Sequence, residues 1–184
     1  MEKVSFYEAV VTLAKKAGVE IIFEGNVEYQ ESPESNNRDL YKELYTRVAG
    51  SYNYILNHTP QGKIAKDYLE KRGLSSETIE MFSLGYSPND GLWLRKFLES
   101  KKYSKEFLDN SGLFSSKNPE YSFFRNRLMF PIWDRNGKVV AFSARLLEGD
   151  GPKYINSPEL ISYKKGEILY AFHLAKKAMR EKKA

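Results

Sequence analysis

Two β-compatible apolar runs lie almost end to end in this chain, LMFPIW at residues 128–133 and VVAF at 139–142. Only Asp134-Arg135-Asn136-Gly137-Lys138 separates them. Apolar runs joined by so short a segment containing Asn-Gly predict a β-hairpin, because Asn and Gly supply the left-handed backbone that a tight turn needs. Basic residues flank the runs: Arg125, Arg127, Lys138, Arg145, Lys153, Lys164 and Lys165. The hairpin reads as a rigid platform, and the segment after it as a polar surface suited to phosphate.

Helical periodicity dominates what precedes the hairpin. In residues 4–17, Phe6, Ala9, Val10, Leu13, Ala14 and Ala17 share a face, and Gly18 is a natural stop. Phe6 and Leu13 read as packing residues. Residues 20–37 turn acidic and polar, which predicts a linker arm, and Asn37 is placed to cap the next helix. Residues 38–57 repeat Leu40, Leu44, Val48, Tyr52 and Ile55 at helical steps, with tyrosines that suit core packing better than base stacking. A helix over 62–71 places Ile64, Tyr68 and Leu69 inward and ends at Gly73. Ser75 or Ser76 caps a short helix, Leu84-Gly85-Tyr86 forms a strand or turn, and residues 92–100 and 105–111 form two further helices.

After the hairpin, the Gly-rich residues 146–154 predict a loop and 156–159 a turn or helix entry. A final helix over 169–183 turns Leu169, Phe172, Ala175 and Ala178 or Met179 inward. The fold class is α+β: helices, then a small antiparallel sheet, then a C-terminal helix, with no βαβ alternation. Residues 1–36 form an N-terminal helix and linker arm, and 37–184 the main domain.

Charge is unevenly spread. Residues 1–100 hold 12 Lys and Arg against 15 Asp and Glu, whereas residues 101–184 hold 17 against 9. A basic C-terminal half suits a polyanionic partner, nucleic acid among them, or is a solvated surface. With no cysteine and two histidines far apart in sequence, disulfides, thiolate metal sites and a His-based metal site are not expected. No apolar run approaches a membrane span, and the first residues lack the apolar stretch of a signal peptide.

The phosphate-loop, dinucleotide, zinc-protease and nucleophile-elbow patterns are absent, and no acidic cluster suits two-metal nucleotidyl transfer. Asp134 suits a turn-forming role, so no complete active site is expected here. What stands out is a binding surface. Arg145 ends the second hairpin strand, where its guanidinium can grip phosphate. Lys153-Tyr154 sets a cation beside a ring, Asn156 offers amide donors and an acceptor, and Lys165 precedes a glycine that lets backbone approach phosphate. Each alone is an ordinary solvated loop residue; together, after a rigid hairpin, they point to binding.

These residues also carry a resemblance. Arg125-Asn126-Arg127-Leu128-Met129-Phe130-Pro131-Ile132, Asp134, Gly137, residues 139–142 and Arg145 are similar to the bacterial replicative DNA primase family of the DnaG type. The similarity continues through residues 152–159, Lys165-Gly166 and Leu169-Tyr170, and upstream through residues 68–74 and 82–86. It covers nearly the whole chain. Ser143-Ala144 replaces a small, often Gly-rich pair, and Leu160 a common threonine.

The resemblance implies that residues 37–184 are the N-terminal subdomain of the primase RNA polymerase core. The zinc-ribbon and Toprim domains would lie outside this chain, which ends at Ala184 about where the glutamate-bearing Toprim strand would begin. It implies synthesis of short RNA primers on single-stranded DNA from ribonucleoside triphosphates by the parent enzyme. This fragment alone would be inactive and would hold template, RNA–DNA hybrid and nucleotide phosphates. Arg72, Arg127, Arg145, Lys153, Tyr154, Asn156 and Lys165 match the family's nucleic-acid and nucleotide-facing positions. No catalytic or metal residue is implied in this fragment. Mg²⁺ or Mn²⁺ and zinc are implied on the other domains, a replicative helicase as partner of the C-terminal domain, and a cytoplasmic place at the replication fork with no membrane. The alternative is a non-catalytic interaction module whose basic half docks an acidic protein.

Overall fold

The computed structural model describes residues 12–14, 16–18, 33–160 and 162–182. The chain divides into two units, residues 1–32 and 33–184. In the first, residues 12–14 and 16–17 are helical, and Gly18 turns with φ +65°. Leu13, expected to pack, is instead exposed. Phe6 and most of the acidic arm lie outside the described residues.

Helix α1 (Pro33–His58) organises the second unit. Leu44, Tyr45, Val48, Ala49, Tyr52, Ile55 and Leu56 are all buried, which is the stripe a 3.6-residue period lays along one face. The helix begins at Pro33, earlier than residue 38, so Asn37 lies inside it and does not cap it. Proline suits a helix's first position, because its missing N–H would have no partner there. Leu40, expected inward, is 42% exposed.

A 3₁₀ turn (Pro60–Gly62) leads into α2 (Lys63–Lys71). Gly73, at φ +77°, closes α2. Helix α3 (Ser76–Met81) is capped by the Ser75 hydroxyl, which accepts from the Thr78 N–H at 3.2 Å. Strand β1 (Gly85–Ser87) follows, then α4 (Trp93–Ser100) and α5 (Lys105–Asp109).

The expected hairpin is β2 (Arg127–Trp133) and β3 (Val139–Leu146). Asp134 makes the turn: its Oδ1 accepts from the Asn136 and Lys138 N–H groups, and Gly137 takes φ +77°. A register shift falls between Ile132 and Trp133. β1 pairs only with Arg127–Met129, so Pro131 comes where β2 has passed the end of β1, a place where a strand tolerates proline.

The sheet has a fourth strand, β4 (Tyr154–Asn156), and the antiparallel order β1-β2-β3-β4. This corrects the loop and turn expected there. Three residues are too few to show alternation, and β4 is fixed by pairing with β3 and by Ser157, whose hydroxyl accepts from the Phe142 N–H at 3.0 Å.

One face of the sheet packs under α1, α4 and α5 through Met129, Phe142 and Ala144. Part of the other meets α2 and α3 through Leu128 and Tyr86. A 3₁₀ turn (Lys165–Glu167) and α6 (Phe172–Glu181) end the unit. The apolar face of α6 differs from expectation: Phe172 is half-buried, but Leu169, Ala175 and Met179 are exposed, and the Ala178 side chain lies outside the description. His173 packs on Trp133 at 4.7 Å. Among the described residues no helix is long and apolar enough to cross a membrane.

Candidate nucleic-acid interface

Strand alternation decides which side chains share the open face. Arg145 is opposite Tyr154, and Ser143 opposite Asn156, so these four project from one side of the β3–β4 edge. Ala144 and Ile155 turn to the helix-covered side. The sequence-predicted residues Arg145, Tyr154 and Asn156 are thus gathered by register alone.

Arg145 lies between two tyrosine rings, its guanidinium carbon 4.9 Å from the Tyr68 centroid and 5.4 Å from that of Tyr154. Both distances fall within cation–π range. Its Nη1 also donates to the Tyr154 hydroxyl at 2.5 Å. Arg72 joins from α2, donating from Nε to the Tyr68 hydroxyl at 2.9 Å with its guanidinium carbon 5.6 Å from the same ring. That hydrogen bond, more than any other influence, raises the Arg72 pKa. The result is a ladder, Arg72–Tyr68–Arg145–Tyr154. Among the described residues, neither arginine has a carboxylate partner. Tyr68 was read from the sequence as an inward packing residue; its i, i+4 spacing to Arg72 was the available signal.

A groove of about 430 Å³ opens beside Tyr154 and Ser143, walled by Leu74, Phe82, Phe130 and Tyr170. Phe82 and Tyr170 stack with centroids 6.3 Å apart. A larger cleft of about 590 Å³ lies between α1 and α4, lined by Tyr54, Trp93 and Phe97, and holds none of the sequence-predicted site residues.

Arg127 has a different place. It is only 7% exposed, and its Nη1 donates to the Pro152 carbonyl at 2.9 Å. Burial lowers its pKa, yet a guanidinium stays charged at any ordinary pH. Its side chain therefore braces the Gly-rich loop ahead of β4 and does not stand on the open face. Asn126 is similarly engaged: it sits at φ +50°, accepts from the Tyr86 hydroxyl at 2.7 Å and donates to the Glu148 carbonyl at 3.0 Å. Lys153 and Lys165 are exposed, Lys153 just before β4 and Lys165 in the second 3₁₀ turn. No side-chain hydrogen bond or ion pair among the described residues ties either to the ladder.

Among the described residues no group of three or more His, Cys, Asp or Glu is arranged to hold a metal ion.

Fold and site together define an α+β domain that presents guanidinium groups and tyrosine rings side by side on an open sheet face. The family model for the DNA primase catalytic core, N-terminal domain, matches residues 52–176. The DNA primase of Treponema pallidum is 45% identical over 184 residues, covering all of this chain and 30% of that protein. The DNA primase of Geobacillus stearothermophilus is 38% identical, covering 99% of this chain and 31% of that protein. A DnaG primase catalytic domain solved bound to ssDNA superposes with TM-score 0.72 at 34% identity, covering 78% of this chain and 45% of that one. The zinc-binding and RNA polymerase domains of the Aquifex aeolicus primase superpose with TM-score 0.69 at 28% identity, covering 98% of this chain and 42% of that one. The chain belongs to the bacterial DnaG-type primase family, as the N-terminal domain of the catalytic core. It spans about a third of the length of these curated relatives.

Proposed function

We propose that this chain is the template-holding part of a primase that makes short RNA primers on single-stranded DNA. The observation that carries the reading is Arg145, held between two tyrosine rings on an open sheet face with no carboxylate among the described residues to neutralise it. Tyrosines fix a guanidinium without cancelling its charge, which leaves that charge for phosphate. Arg72 extends the cationic line, Tyr154 and Asn156 offer a stacking face and an amide, and Lys153 and Lys165 add exposed cations. Arg127 acts from behind by fixing the loop that ends at Lys153.

Contacts of this kind track backbone and ring faces, so binding is salt-sensitive and weakly dependent on sequence. The same surface orients ribonucleotide phosphates and the RNA–DNA hybrid. Metal-assisted bond formation belongs to the Toprim carboxylates of the longer primase, zinc to its zinc ribbon, and the helicase contact to its C-terminal domain. The bacterial cytoplasm, at the fork, is the place such a protein works.

The test is a fluorescence-anisotropy titration of this chain with a short single-stranded oligonucleotide at low and moderate salt. Affinity should fall steeply with salt, and Arg145→Ala should weaken binding about tenfold while reducing the salt slope by about one phosphate contact. Unchanged binding by Arg145→Ala would sink the site assignment.

A further inference from the structure

Tyr68 occupies an unusual position, because two guanidinium groups meet on its one neutral side chain. Its hydroxyl oxygen accepts from Arg72 Nε at 2.9 Å, and its ring centroid lies 5.6 Å from the Arg72 guanidinium carbon and 4.9 Å from that of Arg145. Arg72 follows α2 and Arg145 belongs to β3, so Tyr68 is where a helix and the sheet present their cations together. Two like charges brought this close repel one another unless something attracts both. Here the attraction comes from the negative face of the ring and from the hydroxyl lone pair. A carboxylate at the same place would hold the arginines more firmly but would cancel charge that a polyanion could use. Arg145 Nε is buried, so the donors left to the guanidinium for a phosphate are those of its outer nitrogens, of which Nη1 also donates to Tyr154.

We propose that Tyr68 is a positioning residue for phosphate binding: it joins Arg72 and Arg145 into one paired-guanidinium clamp on a nucleic-acid backbone. This rests on the reading that the open face binds nucleic acid. The two arginines then act as a unit, and the unit depends on the ring and the hydroxyl in different ways. Losing the hydroxyl leaves Arg72 only its ring contact, the longer of the two. Losing the ring also frees Arg145.

The experiment is the same titration of this chain with a short single-stranded oligonucleotide across several salt concentrations. The chains compared are the native one, Tyr68→Phe, Tyr68→Leu, Arg72→Ala, Arg145→Ala and the pairwise combinations. Tyr68→Leu should weaken binding about three- to tenfold and flatten the salt slope, although position 68 itself touches no phosphate. Tyr68→Phe should restore most of what Leu loses. In the Tyr68→Phe background, Arg72→Ala should cost less than half its fold-effect in the native chain, the non-additivity expected of coupled residues. The last comparison carries the test if Tyr68→Leu does not fold.

A native affinity and salt slope in Tyr68→Leu, with Arg145→Ala still weakened, would overturn the clamp and leave the binding face intact. So would an Arg72→Ala effect that is the same in both backgrounds. No binding by the native chain at low salt would overturn the binding face, and the clamp with it.

Discussion

Arg95, Arg127 and Arg145 carry the same guanidinium into three settings, and the setting decides what each can do. Arg95 is 1% exposed, donates to Glu99 at 3.0 Å and to Asp109 at 2.7 Å, and lies over the Phe114 ring at 4.8 Å. Its Nη1 is buried with no partner, whereas its carboxylate partners keep substantial contact with water. Replacing it therefore strands no buried carboxylate. Arg95→Met, which keeps the volume, should change stability by less than about 1.5 kcal/mol, while Arg95→Ala should cost about 2–5 kcal/mol through the cavity alone. Urea unfolding of the two variants checks this; equal losses would show that the ion pairs and not the packing matter. Arg127 differs because its partner is a backbone carbonyl in a loop. Arg127→Met should leave the core intact but speed proteolysis within residues 147–153, measured as the cleavage rate under native conditions. Only the place of Arg145 at a strand end was legible in the sequence; that Arg95 and Arg127 are buried was not, since all three are arginines beside apolar residues. Burial and hydrogen-bond partners separate them, and both arise from contacts far along the chain.

At the scale of elements, the hairpin was the most legible part, since its turn chemistry is local: Asp134 caps it and Gly137 supplies the positive φ. The stripe on α1 was legible for the same reason, because periodicity is a local property. β4 was not, because an edge strand of three residues is specified by its partner and not by its own pattern. The outward face of α6 was missed because an amphipathic sequence does not reveal whether a neighbour covers it. The contact between α1 and β1 follows similar logic. A Cβ on Gly85 would lie 2.6 Å from Tyr52 Cβ and 2.7 Å from its carbonyl carbon, so α1 and β1 meet almost backbone to backbone. Backbone cannot yield as a side-chain tip can. Gly85→Ala should therefore force β1 off α1 and destabilise the unit by about 1–3 kcal/mol, whereas Gly50→Ala, with open space around it on the same helix, should stabilise or be neutral. Thermal unfolding of the two variants tests the contrast, and a harmless Gly85→Ala would mean that β1 is free to shift.

At the scale of the second unit, the ladder joins segments far apart in the chain, with Arg72 and Tyr68 from its helical first part and Arg145 and Tyr154 from the basic part that follows. The core beneath holds the buried phenols of Tyr45 and Tyr52, which tie its stability to alkaline pH. Tyr52 is 1% exposed and its hydroxyl makes no hydrogen bond. Burial pushes its pKa up to about 12. Burial also raises Tyr45. In the unfolded chain these groups ionise near pH 10. Between about pH 10 and 12 the unfolded state therefore releases protons that the folded state keeps, so unfolding free energy must fall as pH rises, by up to about 1.4 kcal/mol per pH unit for each such tyrosine. Below pH 10 both states hold the proton and the slope disappears. Urea unfolding at pH 8, 10 and 11 should show a plateau followed by a decline. Tyr52→Phe keeps the ring that meets Trp93 and Phe142 edge-on. It removes a hydroxyl that satisfies no partner, so it should change stability at pH 8 by less than about 1 kcal/mol and make the alkaline decline shallower. An equally steep decline in Tyr52→Phe would show that the alkaline loss comes from other groups and that the Tyr52 hydroxyl ionises as readily in the folded state as in the unfolded one.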